Sequence, residues 1–107
     1  MKYYINGVKV RTSKNIYTHA VVCGAEVLAC CGSYNLAYKK MNEEIRKLAK
    51  EIVKQEVYIG RVKRGCYDDC LSVLGVNSRD ELIDKAEDHL IKMRNAIIEI
   101  VELEVRA

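Results

Sequence analysis

Proline, tryptophan and phenylalanine are missing from this chain altogether. Without proline there is no cis-prolyl turn and no polyproline segment for a recognition groove to read. Without Trp or Phe, the seven tyrosines are the only aromatic anchors, so the core must come from Ile, Val, Leu, Ala, Met and Tyr. Long apolar runs are missing too: nothing approaches the ~20 residues that a membrane span requires. Residues 1–20 hold no basic stretch followed by an apolar one, as a secretory signal would. The expectation is a cytoplasmic protein with no membrane partner. An excess of charge is also lacking. Eighteen Lys and Arg against fifteen Asp and Glu leave a net +3, weak for a protein devoted to duplex DNA, whose affinity rests on many phosphate contacts. That balance still permits an anionic ligand.

What is present describes one globular domain over residues 1–107. Half of the residues are apolar and 31% are charged, which argues against disorder. A chain of this length buries roughly two thirds of its unfolded surface. Five cysteines, Cys23, Cys30, Cys31, Cys66 and Cys70, are an odd number in a chain expected to stay in a reducing compartment, so no disulfide framework is expected. Cys66 and Cys70 stand four apart and would share a face if helical. They have no matching second pair, and His19 and His89 complete no zinc pattern with them, so no metal and no cofactor are expected.

The first third of the chain is β-rich. Lys2 to Ile5 and Val8 to Thr12 flank Asn6-Gly7, the strongest short hairpin signal because both residues accept positive φ. Thr18 to Cys23 and Glu26 to Cys31 flank Gly24-Ala25, a second hairpin. The fold class is therefore α+β: a small N-terminal antiparallel sheet of two hairpins linked through Lys14-Asn15, followed by two long amphipathic helices. In the first helix the apolar stripe runs Tyr34, Tyr38, Met41, Ile45, Leu48, Ile52, at alternating steps of four and three. Lys39, Lys40, Glu43, Arg46, Lys47, Lys50 and Lys54 lie on the opposite face. The second helix opens at Ser78-Arg79-Asp80-Glu81, a capping box, and continues its apolar face through Leu82, Ala86, Leu90, Met93 and Ile97. From Val101 to Val105 the period becomes two, a candidate last strand, unless the helix simply continues. Stripes of this kind are hard to cover within so short a chain, so a homodimer or higher homo-oligomer joined through helix faces is expected.

No catalytic constellation stands out. GxxxxGK[ST], GxGxxG, HExxH and any Ser-His-Asp or Cys-His arrangement with recognisable context are all missing, so the chain is not expected to be an enzyme. The strongest ligand candidate is Tyr58-Ile59-Gly60-Arg61-Val62-Lys63-Arg64-Gly65-Cys66-Tyr67, read as a loop between the helices. Arg61, Lys63 and Arg64 could hold an anion while Tyr58 and Tyr67 offer flat faces to a base or sugar. Ser33, at the start of the first helix, is the second candidate, either an anion-site residue or simply an N-cap. His89, Arg94 and Asn95 form a polar trio on the second helix.

In plan, the hairpins around Tyr3 to Thr12, the strands from Thr18 to Gly32 and the helices from Tyr34 and Ser78 resemble the small proteins that phages encode against bacterial defences, most closely the anti-Thoeris sponge family. The resemblance implies a helix-paired oligomer in the cytoplasm of a bacterial host cell, sequestering a cyclic ADP-ribose-type signal without degrading it. It makes Arg61, Arg64, Arg94 and Asn95 candidates for phosphate and base contacts on chemical grounds. The alternative is a small inhibitor or adaptor that binds a protein or nucleic-acid partner through the basic face of the first helix.

Overall fold

The computed structural model describes residues 1–106 and is α+β, with six strands in two small antiparallel sheets and two helices. The chain divides into two compact units, one holding Met1–Arg46 with the C-terminal strands, the other Lys47–Asn95. Helix α1, Tyr34–Lys63, contributes residues 34–46 to the first unit and 47–63 to the second.

In the first unit, β1 (Lys2–Ile5) and β2 (Val8–Thr12) meet at Asn6-Gly7, whose φ values of 50° and 79° are those of the type I′ turn that matches strand twist. Strands β3 (His19–Cys23) and β4 (Glu26–Cys31) form the second hairpin. The two hairpins do not join into the single sheet expected. They build separate sheets, ordered β2-β1-β6 and β4-β3-β5. The C-terminal segment causes this by serving both: β5 (Ile98–Glu102) pairs antiparallel with β3, and β6 (Glu104–Arg106) pairs antiparallel with β1. The change of sheet falls at Leu103, whose N–H donates to the Thr18 carbonyl at 2.9 Å. The strand also begins three residues before Val101, because Ile97, Ile98, Ile100 and Val101 are β-branched and favour extended backbone.

Tyr3 anchors this unit. It is 0% exposed, and its hydroxyl donates to the Asn15 carbonyl while accepting the Tyr17 N–H at 3.0 Å. The Tyr17 ring meets it edge-on at 5.4 Å. One buried phenol thus satisfies the backbone of the link between the hairpins, as buried polar groups require.

The second unit is a helical hairpin. Helix α2 (Arg79–Asn95) starts where the capping box places it: the Ser78 hydroxyl accepts the Glu81 N–H at 3.2 Å, a cap worth about 1 kcal/mol. The Glu81 carboxylate reaches back to the Asn77 N–H at 3.0 Å, one residue before the cap rather than the cap itself. Ile59, Ala86 and Leu90 form one buried cluster, with Ile52, Tyr58 and Met93 against it; Val62, Val76 and Leu82 form another. Ile97 does not continue this face. The helix ends at Asn95, and Ile97 is 71% exposed in the link to β5.

The α1 stripe behaves differently along its length. Ile52 packs in the second unit's core, whereas Tyr34, Tyr38 and Ile45 in the first unit are exposed. There the positions withdrawn from water are Ala37, buried, and Lys40, Met41, Asn42 and Glu44, half-buried.

Candidate functional site

The stretch from Tyr58 to Tyr67 is not a loop. Tyr58–Lys63 are the last turns of α1, and only residues 64–67 form a turn. Gly65, at φ 83°, closes the helix: its N–H donates to the Val62 carbonyl at 3.0 Å and the Cys66 N–H to the Arg61 carbonyl at 3.1 Å. That pair of bonds is the Schellman motif. Gly60 is an ordinary helical residue and Gly65 a helix C-terminus, so the glycines bracket no phosphate loop. A helix C-terminus presents carbonyls and the negative end of the dipole. Arg61, Lys63 and Arg64 are placed to complement that pole, the opposite of an anion site.

The candidate tyrosines do come together. Tyr58 and Tyr67 stand 5.1 Å apart at 52°, packed around Val62. Burial first, then Tyr67 and Cys70, raises the Tyr58 hydroxyl above its ordinary pKa. These rings fill the core beneath the turn rather than offering a free face. Lys63 and Arg94 line the two ends of one groove of about 310 Å³, whose walls are Glu56, Ile59, Lys63, Glu87, Leu90, Ile91 and Arg94. That volume is at the small end for ligand pockets. Each cation there already has a carboxylate: Lys63 Nζ lies 3.3 Å from Glu87 and Arg94 3.2 Å from Glu56. The groove is charge-balanced. Arg61 and Asn95 are exposed and line no part of it. Arg64 lies over Gly60, with its Nη1 3.7 Å from where a Cβ there would sit. Ser33 belongs to the first unit and is an N-cap, its hydroxyl accepting the Leu36 N–H at 3.2 Å.

Cys66 and Cys70 do not share a helix face. Cys66 is exposed in the turn, whereas Cys70 ends a 3₁₀ turn, Asp68–Cys70, and donates its thiol to the Tyr67 carbonyl at 3.4 Å. No group of three or more potential metal ligands occurs among the described residues.

Sequence reasoning missed the clamp that shapes this turn. Arg79 grips Asp68 with two parallel hydrogen bonds, one of 3.0 Å from Nε to Oδ1 and a second from Nη2 to Oδ2, and Nη1 reaches the Lys63 carbonyl at 3.5 Å. The hydrogen bond from Arg79 holds the Asp68 carboxyl below its ordinary pKa. Eleven residues separate the partners, so no local spacing marks them.

The other missed feature is in the first unit. The His19 ring, sharing a 2.7 Å hydrogen bond with the Thr18 hydroxyl, meets Tyr34 edge-on at 5.6 Å, and Tyr34 stacks with Tyr38 at 6.4 Å and 26°. Tyr34 is 54% exposed and Tyr38 50%. At about 100° per residue, Ile45 falls between Tyr34 and Tyr38, and Asn42, Asn35, Arg46 and Lys39 follow in turn around α1, about 40° to 100° beyond Tyr38. Lys39 and Arg46 make no ion pair among the described residues, whereas the neighbouring Lys40 is held by Glu43 and Glu44. The expected lysine face is thus partly neutralised, as is Lys54 by Glu51. No protein family, curated protein or solved structure matches the chain.

Proposed function

We propose that the chain is a non-catalytic binding protein whose α1 face in the first unit docks single-stranded nucleic acid. One observation carries the reading: two stacked tyrosines, half exposed and backed by His19, stand on the same exposed stretch of α1 as Lys39 and Arg46, which lie further round the helix and make no ion pair among the described residues. Aromatic faces stack bases irrespective of sequence, at about 1–3 kcal/mol per base, and free cations beside them track the backbone phosphates. Asn35 and Asn42 add donors and acceptors. This is the nucleic-acid form of the partner-binding alternative, moved from the lysine-rich length of the helix to the end that holds the aromatics.

Sequestration of a small cyclic nucleotide, the role carried by the counter-defence resemblance, has less support. A small anion needs free cations converging on a concave site. Lys63 and Arg94 line such a groove but face Glu87 and Glu56.

Fluorescence anisotropy with a labelled ten-nucleotide single strand tests the reading, with unlabelled cyclic ADP-ribose as competitor. Binding should weaken linearly in log salt, at about 0.7 per phosphate contacted. Tyr34→Ala with Tyr38→Ala should weaken it at least tenfold, and Lys39→Gln with Arg46→Gln should flatten the salt slope. Displacement by micromolar cyclic nucleotide would transfer the reading to sequestration. No binding of the strand at low salt would overturn it.

A further inference from the structure

The charge-balanced groove of the second unit has the layout of an unfinished helical bundle. Glu56 faces Arg94, and Lys63 faces Glu87. Both pairs are one heptad apart on each helix, so they fix an antiparallel register in which Ile59 stands level with Ile91. Ile59 is buried, but Ile91 is 54% exposed between the two ion pairs. The groove therefore has an apolar notch, flanked by salt bridges, that none of the described residues fills.

The two margins of the notch carry opposite charge. On α1 the row next to the groove holds Val53, exposed, then Gly60, with Arg64 lying over it at the end. On α2 the row next to Ile91 holds Asp84 and Asp88, seven and three residues before it. None of these three charged side chains, Arg64, Asp84 and Asp88, has an ion-pair partner among the described residues. On the register set by the groove, Arg64 stands level with residue 86.

We infer that this face binds a second copy of the chain, in a four-helix arrangement about a two-fold axis parallel to the helices. That operation lays α1 of each copy over α2 of the other, antiparallel and at the same level. Arg64, which covers Gly60 and stands level with residue 86, then lies between Asp84 and Asp88 of the second copy and flanks its incoming Ile91. The other two-fold axis in the interface plane would lay α1 on α1 and α2 on α2, basic margin against basic and acidic against acidic. Charge therefore selects the first arrangement. An isologous contact of this kind closes at two copies.

Sedimentation velocity over a concentration series tests it. The wild type should sediment as a dimer that dissociates as salt rises. Ile91→Lys, at a solvent-facing position that should leave the hairpin folded, should weaken the dimer about tenfold or more. Arg64→Asp should weaken it as well, and adding Asp84→Arg to the same chain should restore it, since the swapped charges meet again. Circular dichroism on each variant separates loss of contact from loss of fold. A wild type that stays monomeric at all concentrations, a dimer indifferent to Ile91→Lys, or a charge swap that fails to restore association would each overturn the inference. None of these outcomes touches strand binding by the first unit, which is read separately.

Discussion

The two units use their tyrosines in opposite ways. In the second, Tyr58 and Tyr67 close over Val62 beneath a helix end, and the cations around them are matched by carboxylates or by the helix pole. In the first, Tyr3 is fully buried as a structural post, while Tyr34 and Tyr38 stand half in water on a stretch of helix whose Lys39 and Arg46 make no ion pair among the described residues. A string of Gly, Arg, Lys and Tyr looks like a binding loop wherever it occurs in a sequence. What separates scaffold from site is whether the charges have been spent within the fold. By that measure the second unit's basic segment is mostly scaffold, and the first unit's quieter α1 face is the proposed site.

Matched substitutions in the two units probe this contrast, and urea denaturation reads each of them. The largest effect should come from Tyr3→Ala, which removes a fully buried ring and strands the Asn15 carbonyl and Tyr17 N–H: about 3–5 kcal/mol. Its counterpart Leu90→Ala, at the margin of the open groove, should cost about 2 kcal/mol, the lower end for such truncations. Glycines come next. Gly7→Ala meets nothing within 4 Å and should cost only the about 1–2 kcal/mol of placing a Cβ at positive φ. Gly65→Ala carries the same penalty and also sets its Cβ 2.6 Å from Arg79 and 2.9 Å from Asp68, so it must dislodge their clamp. The difference between the two glycine variants should shrink in an Asp68→Asn background, a coupling that a double-mutant cycle measures.

Smaller effects should be equal across the units. Ser33→Ala and Ser78→Ala each remove one helix cap and should each cost about 1 kcal/mol. A Ser33 effect on ligand binding well beyond that loss would return Ser33 to the list of site residues. The smallest is a pH effect. Asp68 has a folded pKa below its ordinary 3.8, so ionisation favours the folded state above that value. The benefit fades as pH falls through the depressed folded pKa. Thermal midpoints of the wild type and Asp68→Asn should differ slightly at pH 7, the wild type higher, and converge at the acid end of the titration.

Much of the fold was legible because its signals are local. Asn6-Gly7 fixes a turn by backbone preference alone, Ser78 and Glu81 mark a helix start, and the period of two from Val101 to Val105 marks a last strand, though neither its start at Ile98 nor its division between two sheets. That division depends on a hydrogen bond between Leu103 and Thr18, eighty-five residues apart in number, which no window detects. The basic segment misled for a related reason. Gly60 and Gly65 look alike in sequence, yet one is mid-helix and the other a Schellman glycine. A helical period carried through Tyr58, Val62 and Lys63 would have exposed this. The aromatic ladder was half legible: Tyr34 and Tyr38 are four apart, but His19 reaches them only through the strand β3.

The most direct test is a two-dimensional amide NMR titration of the isotope-labelled protein with a ten-nucleotide single strand at low salt. Shifts confined to His19, Tyr34, Tyr38, Lys39 and Arg46, and reversed by added salt, are what the account predicts. Shifts centred instead on Glu56, Lys63, Glu87 and Arg94, or none at all, would contradict it.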